Sequence, residues 1–224
     1  MTVQINSNSY FPHFYTATEH FARRFDQIGR QLAFRGRTRR DAVAWQRRLR
    51  ARLIEILGMG TFQKPRRLKP ESLGREDCGG HWREEWTIFT EPDVQATFYL
   101  LVPKSLKPGE RRPAVLCPHG HASGGRFSPA GRRDVEQIRK QIEVYNYDYA
   151  VQLAARGFVT LAPDAGGFGQ RREQAMQPDK LDPNLFINGS CHLLALMGHP
   201  LDQTVAGMWT WDLMRLADYL QTRP

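Results

Sequence analysis

Pro113-Ala114-Val115-Leu116-Cys117-Pro118-His119-Gly120-His121-Ala122-Ser123-Gly124-Gly125 is the stretch that decides the fold. Its first five residues are a short apolar run of the kind buried on both faces of a parallel sheet. Its last eight hold three glycines, which leave backbone N–H groups open to an approaching ligand because no side chain crowds them. A buried strand that opens into a glycine-rich turn is the expected entry to an α/β site at the carboxyl edge of a sheet.

The residues on either side extend this pattern. Tyr149 to Ala155 reads as a helix stopped by Gly157, and Phe158 to Ala162 as the next buried strand. Strand, helix and strand with a short return loop make a βαβ unit with parallel pairing and a right-handed crossover. Residues 126–146 form a charged insertion, helical around Val135 to Val144. Upstream, Trp82 to Phe89 and Val94 to Val102 are β-type runs joined by Thr90-Glu91-Pro92-Asp93, a hairpin signature. Trp82, Trp86 and Ile88 share one side of the first run; Val94, Ala96, Phe98 and Leu100 share one side of the second. Gln203 to Gln221 is the last helix, with Val205, Met208, Trp209, Leu213, Leu216 and Leu220 on its apolar side.

Before the hairpin, Ala42, Trp45, Leu49, Leu53 and Ile56 recur at helical spacing, with Thr38 as N-cap and Asp41 closing a capping box. The helix ends near Gly58 and Gly60, and Lys64 to Pro70 is a basic linker. Residues 1–37 lack a clean period and are expected to be irregular or partly helical. The expected division is therefore a basic, mainly helical extension over 1–70 and an α/β domain over 71–224.

Charge follows the same division. The net charge is +9, yet residues 1–70 hold 15 Lys/Arg against 4 Asp/Glu, and residues 71–224 hold 17 against 19. A basic N-terminal third raises nucleic-acid binding by residues 23–69 as one reading. The helical spacing of the arginines, with no interleaved aromatic platform, favours a solvated helix face instead. No apolar run approaches the ~18 residues of a membrane span, and MTVQINSNSYFPHF has neither the basic nor the apolar part of a secretory signal. Cys78, Cys117 and Cys191 are odd in number and lack C-x-x-C spacing, so no disulfide framework is expected and a reducing cytoplasm is the default.

Several chemistries compete for the polar residues. Cys117, His119 and His121 alternate and could share a metal, with Asp164, His192 or His199 completing the set, but no characteristic spacing supports it. Asp164, in Ala162-Pro163-Asp164-Ala165-Gly166, follows a strand directly. As a nucleophile it would need an elbow running into a helix, and Gly166-Gly167-Phe168-Gly169 is a poor helix start. It reads better as a side chain that ties down its own loop. Ser123 lies within the glycine-rich turn itself. Cys191, in Gly189-Ser190-Cys191-His192, has a glycine two residues before it and a histidine beside it, but adjacent side chains rarely meet. No serine in the chain has a glycine two residues before it, so the G-x-S-x-G elbow is missing.

Taken in order, the helix from Trp45 to Gly58, Pro118-His119-Gly120-His121, Pro163-Asp164 through Gly169, Trp211-Asp212, Asp218-Tyr219-Leu220 and Thr222-Arg223-Pro224 resemble one family. They are similar to the N-terminal part of the acetyl-xylan-esterase-like, dienelactone-hydrolase-like branch of the α/β-hydrolase superfamily, over roughly residues 40–224. The resemblance implies a three-layer α/β-hydrolase fold that is incomplete, ending before the nucleophile elbow. It implies that the main-chain N–H of His121 serves an oxyanion hole, supported by His119, Gly120, Gly124, Gly125 and Asp164. It also implies a Ser-His-Asp carboxylic-ester hydrolase whose nucleophile, acid and histidine lie in later elements. The chain as given is then expected to be inactive and prone to self-association. An ester substrate for the complete protein and no cofactor are further expectations. A non-catalytic binding or regulatory protein on a partial hydrolase fold is the alternative.

Overall fold

The computed structural model describes residues 16–121, 123–173 and 187–223. The chain divides into two compact units, Met1–Arg52 and Leu53–Pro224. In the first unit, α1 spans Thr18–Ile28 and buries no residue. The second helix, α2 (Arg39–Ile56), continues past the division. Its start is the expected reciprocal box: the Asp41 N–H donates to Thr38 Oγ1 at 3.1 Å, and the Thr38 N–H donates to Asp41 Oδ2 at 3.0 Å. Those two bonds satisfy donors that the first helical turn otherwise leaves unpaired. Trp45 from α2 donates its indole N–H to the Leu32 carbonyl at 2.6 Å and packs on Phe34.

The second unit is built on a five-stranded sheet: β1 Glu71–Asp77, β2 His81–Phe89, β3 Gln95–Pro103, β4 Ala114–Leu116 and β5 Val159–Pro163. Its spatial order is β1-β2-β3-β5-β4. The first three strands form an antiparallel meander. β5 pairs antiparallel with β3 (Phe98 opposite Pro163) and parallel with β4 (Leu116 opposite Leu161). Between β4 and β5 the chain forms α3 (Glu136–Tyr145) and α4 (Tyr149–Ala155), the crossover that parallel pairing requires. After β5, the described residues form a 3-10 turn (Gly169–Arg171), α5 (Cys191–Gly198), a second 3-10 turn (His199–Leu201) and α6 (Val205–Thr222).

The period-2 alternation of β3 gives the sheet two buried faces. Ala96, Phe98 and Leu100 join Ile88 and Leu161 beneath Leu216 and Tyr219 of α6. Tyr99 and Leu101 join Cys117 and Ala162 against Ala150 and Ala154 of α4. Each fully buried side chain of this size contributes about 1.5–3 kcal/mol relative to exposure. α6 is capped by Thr204, whose Oγ1 accepts the Gly207 N–H at 3.0 Å.

Two elements escaped the sequence reading. β1 is exposed at all seven positions and carries an irregularity between Ser72 and Gly74, so Glu-Ser-Leu-Gly-Arg-Glu-Asp shows no buried alternation. Charge and a bulge are how an edge strand resists unwanted pairing. α5 is short and mostly apolar, and it holds one buried residue, Gly198. Trp209, on the apolar side of α6, donates its indole N–H to the Gly166 carbonyl at 2.9 Å, beside the glycine-rich loops.

Candidate functional site

The site lies where β4 and β5 end side by side. The Cys117 N–H still reaches the Leu161 carbonyl at 2.8 Å, and from Pro118 onward the chain leaves the sheet. Tyr149 donates its hydroxyl to the Pro118 carbonyl, which fixes the point of departure. His119 then bridges the two strand ends. Its Nε2 accepts the Ala165 N–H at 3.0 Å, so its Nδ1 carries the proton and donates to the Gly120 carbonyl at 2.9 Å. Burial holds its pKa below the usual histidine value, against the pull of the Gly120 carbonyl and Asp164. With both ring nitrogens engaged, His119 is a spacer between loops and has no lone pair free for a metal. Cys117 is 2% exposed, and burial pushes its thiol up to about 11. Among the described residues, no three His, Cys, Asp or Glu side chains gather as metal ligands.

Asp164 is the second tie. It is fully buried. Oδ1 accepts the Arg126 N–H at 2.7 Å, and Oδ2 accepts the Thr97 hydroxyl at 2.8 Å and the Gln170 N–H at 3.3 Å. The Arg126 guanidinium, also fully buried, lies 3.3 Å from Oδ2 and makes a further ion pair with Glu85. Two glycines make room for this carboxylate. A Cβ at Gly125 would lie 2.1 Å from Oδ1 and one at Gly169 would lie 2.0 Å from it, and both residues have positive φ. Fully buried and engaged by donors at both oxygens, Asp164 organises the loops and is not placed to attack a substrate. Ser123 is likewise buried, with its hydroxyl on the Gly120 carbonyl at 2.6 Å.

His121 stands at the tip of the turn. Its ring meets Phe168 and Trp209 edge-on, with centroids 5.1 and 6.3 Å away. Among the described residues, its main-chain N–H donates to no acceptor. Beneath it is a cavity of about 310 Å3, lined by His119, Gly120, His121, Phe168, Trp209 and Leu213 with their neighbours. Gly124 is left-handed, with φ +67°, and turns the chain into the 3-10 segment Gly125–Phe127.

The residues singled out from sequence thus converge at one place: His119, Gly120 and His121 on one strand end, Gly124 and Gly125 in the turn, and Asp164 on the other strand end. His192 is not the histidine that meets Cys191; His121 is, with Nε2 3.7 Å from Sγ. Sequence reasoning missed Arg126, Thr97 and Arg171, and it gave Asp212 no partner. Arg171 donates to the Asp164 carbonyl at 3.1 Å and pairs with Asp212 of α6 at 2.5 Å, which joins the helix to the loop. Arginines in glycine-rich loops carry no local signal of burial. Only the paired carboxylates, 38 and 41 residues away in sequence, account for them.

The crystal structure of a Bacteroides fragilis protein assigned as an acetyl xylan esterase superposes with a TM-score of 0.70 at 19% identity, covering 97% of this chain and 53% of that one. The chain therefore spans about half the length of that structure and shares its fold. No curated protein sequence matches the chain. No helix among the described residues is long and apolar enough to cross a membrane. A family profile for α/β-hydrolases, the Abhydrolase family, matches residues 20–180. With that match covering most of its length, over an α/β-hydrolase sheet and its crossover, the chain belongs to the Abhydrolase family.

Proposed function

We propose that these residues form the oxyanion-binding half of a serine carboxylic-ester hydrolase acting on acetyl-type esters. The observation that carries the reading is the N–H of His121, which donates to no acceptor among the described residues, in a residue that follows β4 and lines the 310 Å3 cavity. A carbonyl oxygen that gains charge in a tetrahedral intermediate needs a fixed donor in a site with little water. His119 and Asp164 fix the loop before reaction, so no reorganisation is required when the charge develops. Fold kinship with the B. fragilis protein supports the ester class.

No G-x-S-x-G occurs in these 224 residues, so this reading assigns the serine nucleophile, its base, its acid and the second donor to other elements. In this reading they belong to the part of the fold that the B. fragilis structure contains and this chain does not span. An oxyanion donor without nucleophile or base gives little rate enhancement. The purified chain is therefore expected to leave a fluorophosphonate probe and p-nitrophenyl acetate unchanged, and stoichiometric serine labelling would refute this. In a protein carrying both halves, His121→Pro deletes the donor and should lower kcat by about 10²–10³ with KM little altered. His121→Ala keeps the N–H and should stay within about tenfold. Equal kcat for His121→Pro and the parent would remove the oxyanion assignment.

A further inference from the structure

Cys191 and His121 are 70 residues apart in sequence, yet the thiol Sγ and the imidazole Nε2 are 3.7 Å apart, within hydrogen-bond reach for sulfur. Both partners are held. The His121 ring is wedged against Phe168 and Trp209. Cys191 opens α5 directly after Ser190, which is fully buried. The Ser190 N–H donates to the Gly167 carbonyl at 2.7 Å, and its hydroxyl accepts the Glu173 N–H at 2.9 Å. A Cβ on Gly167 would lie 2.9 Å from the Cys191 nitrogen, so the two loops are in close contact at this point. Cys191 is half-buried and His121 exposed, so a small reagent can reach the sulfur.

We propose that Cys191 and His121 form a thiol–imidazole nucleophilic pair, a covalent modification site for small uncharged carbon electrophiles beside the cavity that His121 lines. A nucleophile and a base held at this distance are the minimal unit of assisted covalent chemistry. With an α-halo amide, a sulfur lone pair forms the S–C bond as the carbon–halogen bond breaks. The halide leaves with the bonding electrons, the thiol proton passes to Nε2 of His121, and the imidazolium then returns it to solvent. The apolar rings of Phe168 and Trp209 beside His121 favour an uncharged reagent. The site is independent of the proposed oxyanion role, which uses only the main chain of His121.

The other two cysteines are internal references. Burial raises the thiol pKa of both, with Cys78 half-buried and Cys117 almost wholly enclosed. The full chain is treated with iodoacetamide at neutral pH, and adduct formation is followed at each cysteine by peptide mass spectrometry. Cys191 is expected to react at least about tenfold faster than Cys78, a threshold set below the roughly 10²–10⁴-fold that a well-positioned base contributes, with Cys117 slowest. His121→Ala should bring Cys191 to within about threefold of Cys78 while Cys78 keeps its own rate. His121→Phe retains the ring contacts without the acceptor and should give the same loss, which separates base assistance from packing. Comparable rates at all three cysteines, or a Cys191 rate unchanged in His121→Phe, would overturn the proposal.

Discussion

Replacing Asp164 by asparagine tests whether the buried carboxylate is what organises the site. The substitution is nearly isosteric, so no cavity opens, and the change is one of charge and hydrogen-bond polarity. Asp164 accepts from the Arg126 N–H, the Thr97 hydroxyl and the Gln170 N–H, and faces the Arg126 guanidinium at 3.3 Å. An amide has one acceptor oxygen, so its NH2 must face one of these donors. Removing one member of a buried ion pair costs about 3–5 kcal/mol, because the remaining charge is left without compensation. Arg126 keeps Glu85 and the Gln170 side chain (2.8 Å) as partners, which places the expected loss near the lower end, about 3 kcal/mol. For a unit of this size, 1 kcal/mol corresponds to about 2–4 °C in Tm, so a fall of about 6–12 °C is expected. Thermal unfolding followed by circular dichroism, with urea titration as a second measure, reads it. Asp93→Asn, at an exposed position, should change stability by less than about 0.5 kcal/mol. A Tm within about 2 °C of the parent for Asp164→Asn would refute the reasoning and reduce the Asp164–Arg126 pair to a bystander.

Among the described residues, β4 pairs only with β5, so its other edge presents unpaired N–H and C=O groups. The 224-residue chain is expected to associate as concentration rises, as read by sedimentation velocity. Ala114→Lys, at an exposed edge position, should reduce that association without lowering Tm; a monomer at all concentrations would contradict the edge argument. Burial also lowers the pKa values of His119 and His81, so the unfolded chain binds more protons than the folded one in acid. The sign follows: stability is fully present above the ordinary histidine value of about 6.5 and is lost as pH falls from there toward the lowered folded values. Tm is expected to drop between pH 7.5 and 5.5, and His119→Gln should flatten that slope; an unchanged slope would mean that His119 is not held neutral.

Local pattern in the sequence determined the elements that bury an alternating or periodic face. β2 and β3, the β4–α4–β5 crossover and α6 were legible because each shows apolar alternation or periodicity bounded by a turn or a glycine, and the Thr38–Asp41 box because its two polar residues stand at the fixed spacing of a helix start. β1 was not, because an edge strand exposed at every position has no such face to show. The glycine-rich turn and the loop-tying character of Asp164 could also be read, since steric freedom and a short polar side chain after a strand are local properties. Tertiary structure alone decided the partners. Arg126 and Arg171 resemble any surface arginine until Asp164, Glu85 and Asp212 are brought to them. His121 was placed by its neighbours in sequence, but Cys191 was brought to it by a close approach between the Gly167 loop and the start of α5. Ion pairs and nucleophile–base contacts depend on separations of a few ångströms between residues tens of positions apart, and those separations exist only once the chain has folded.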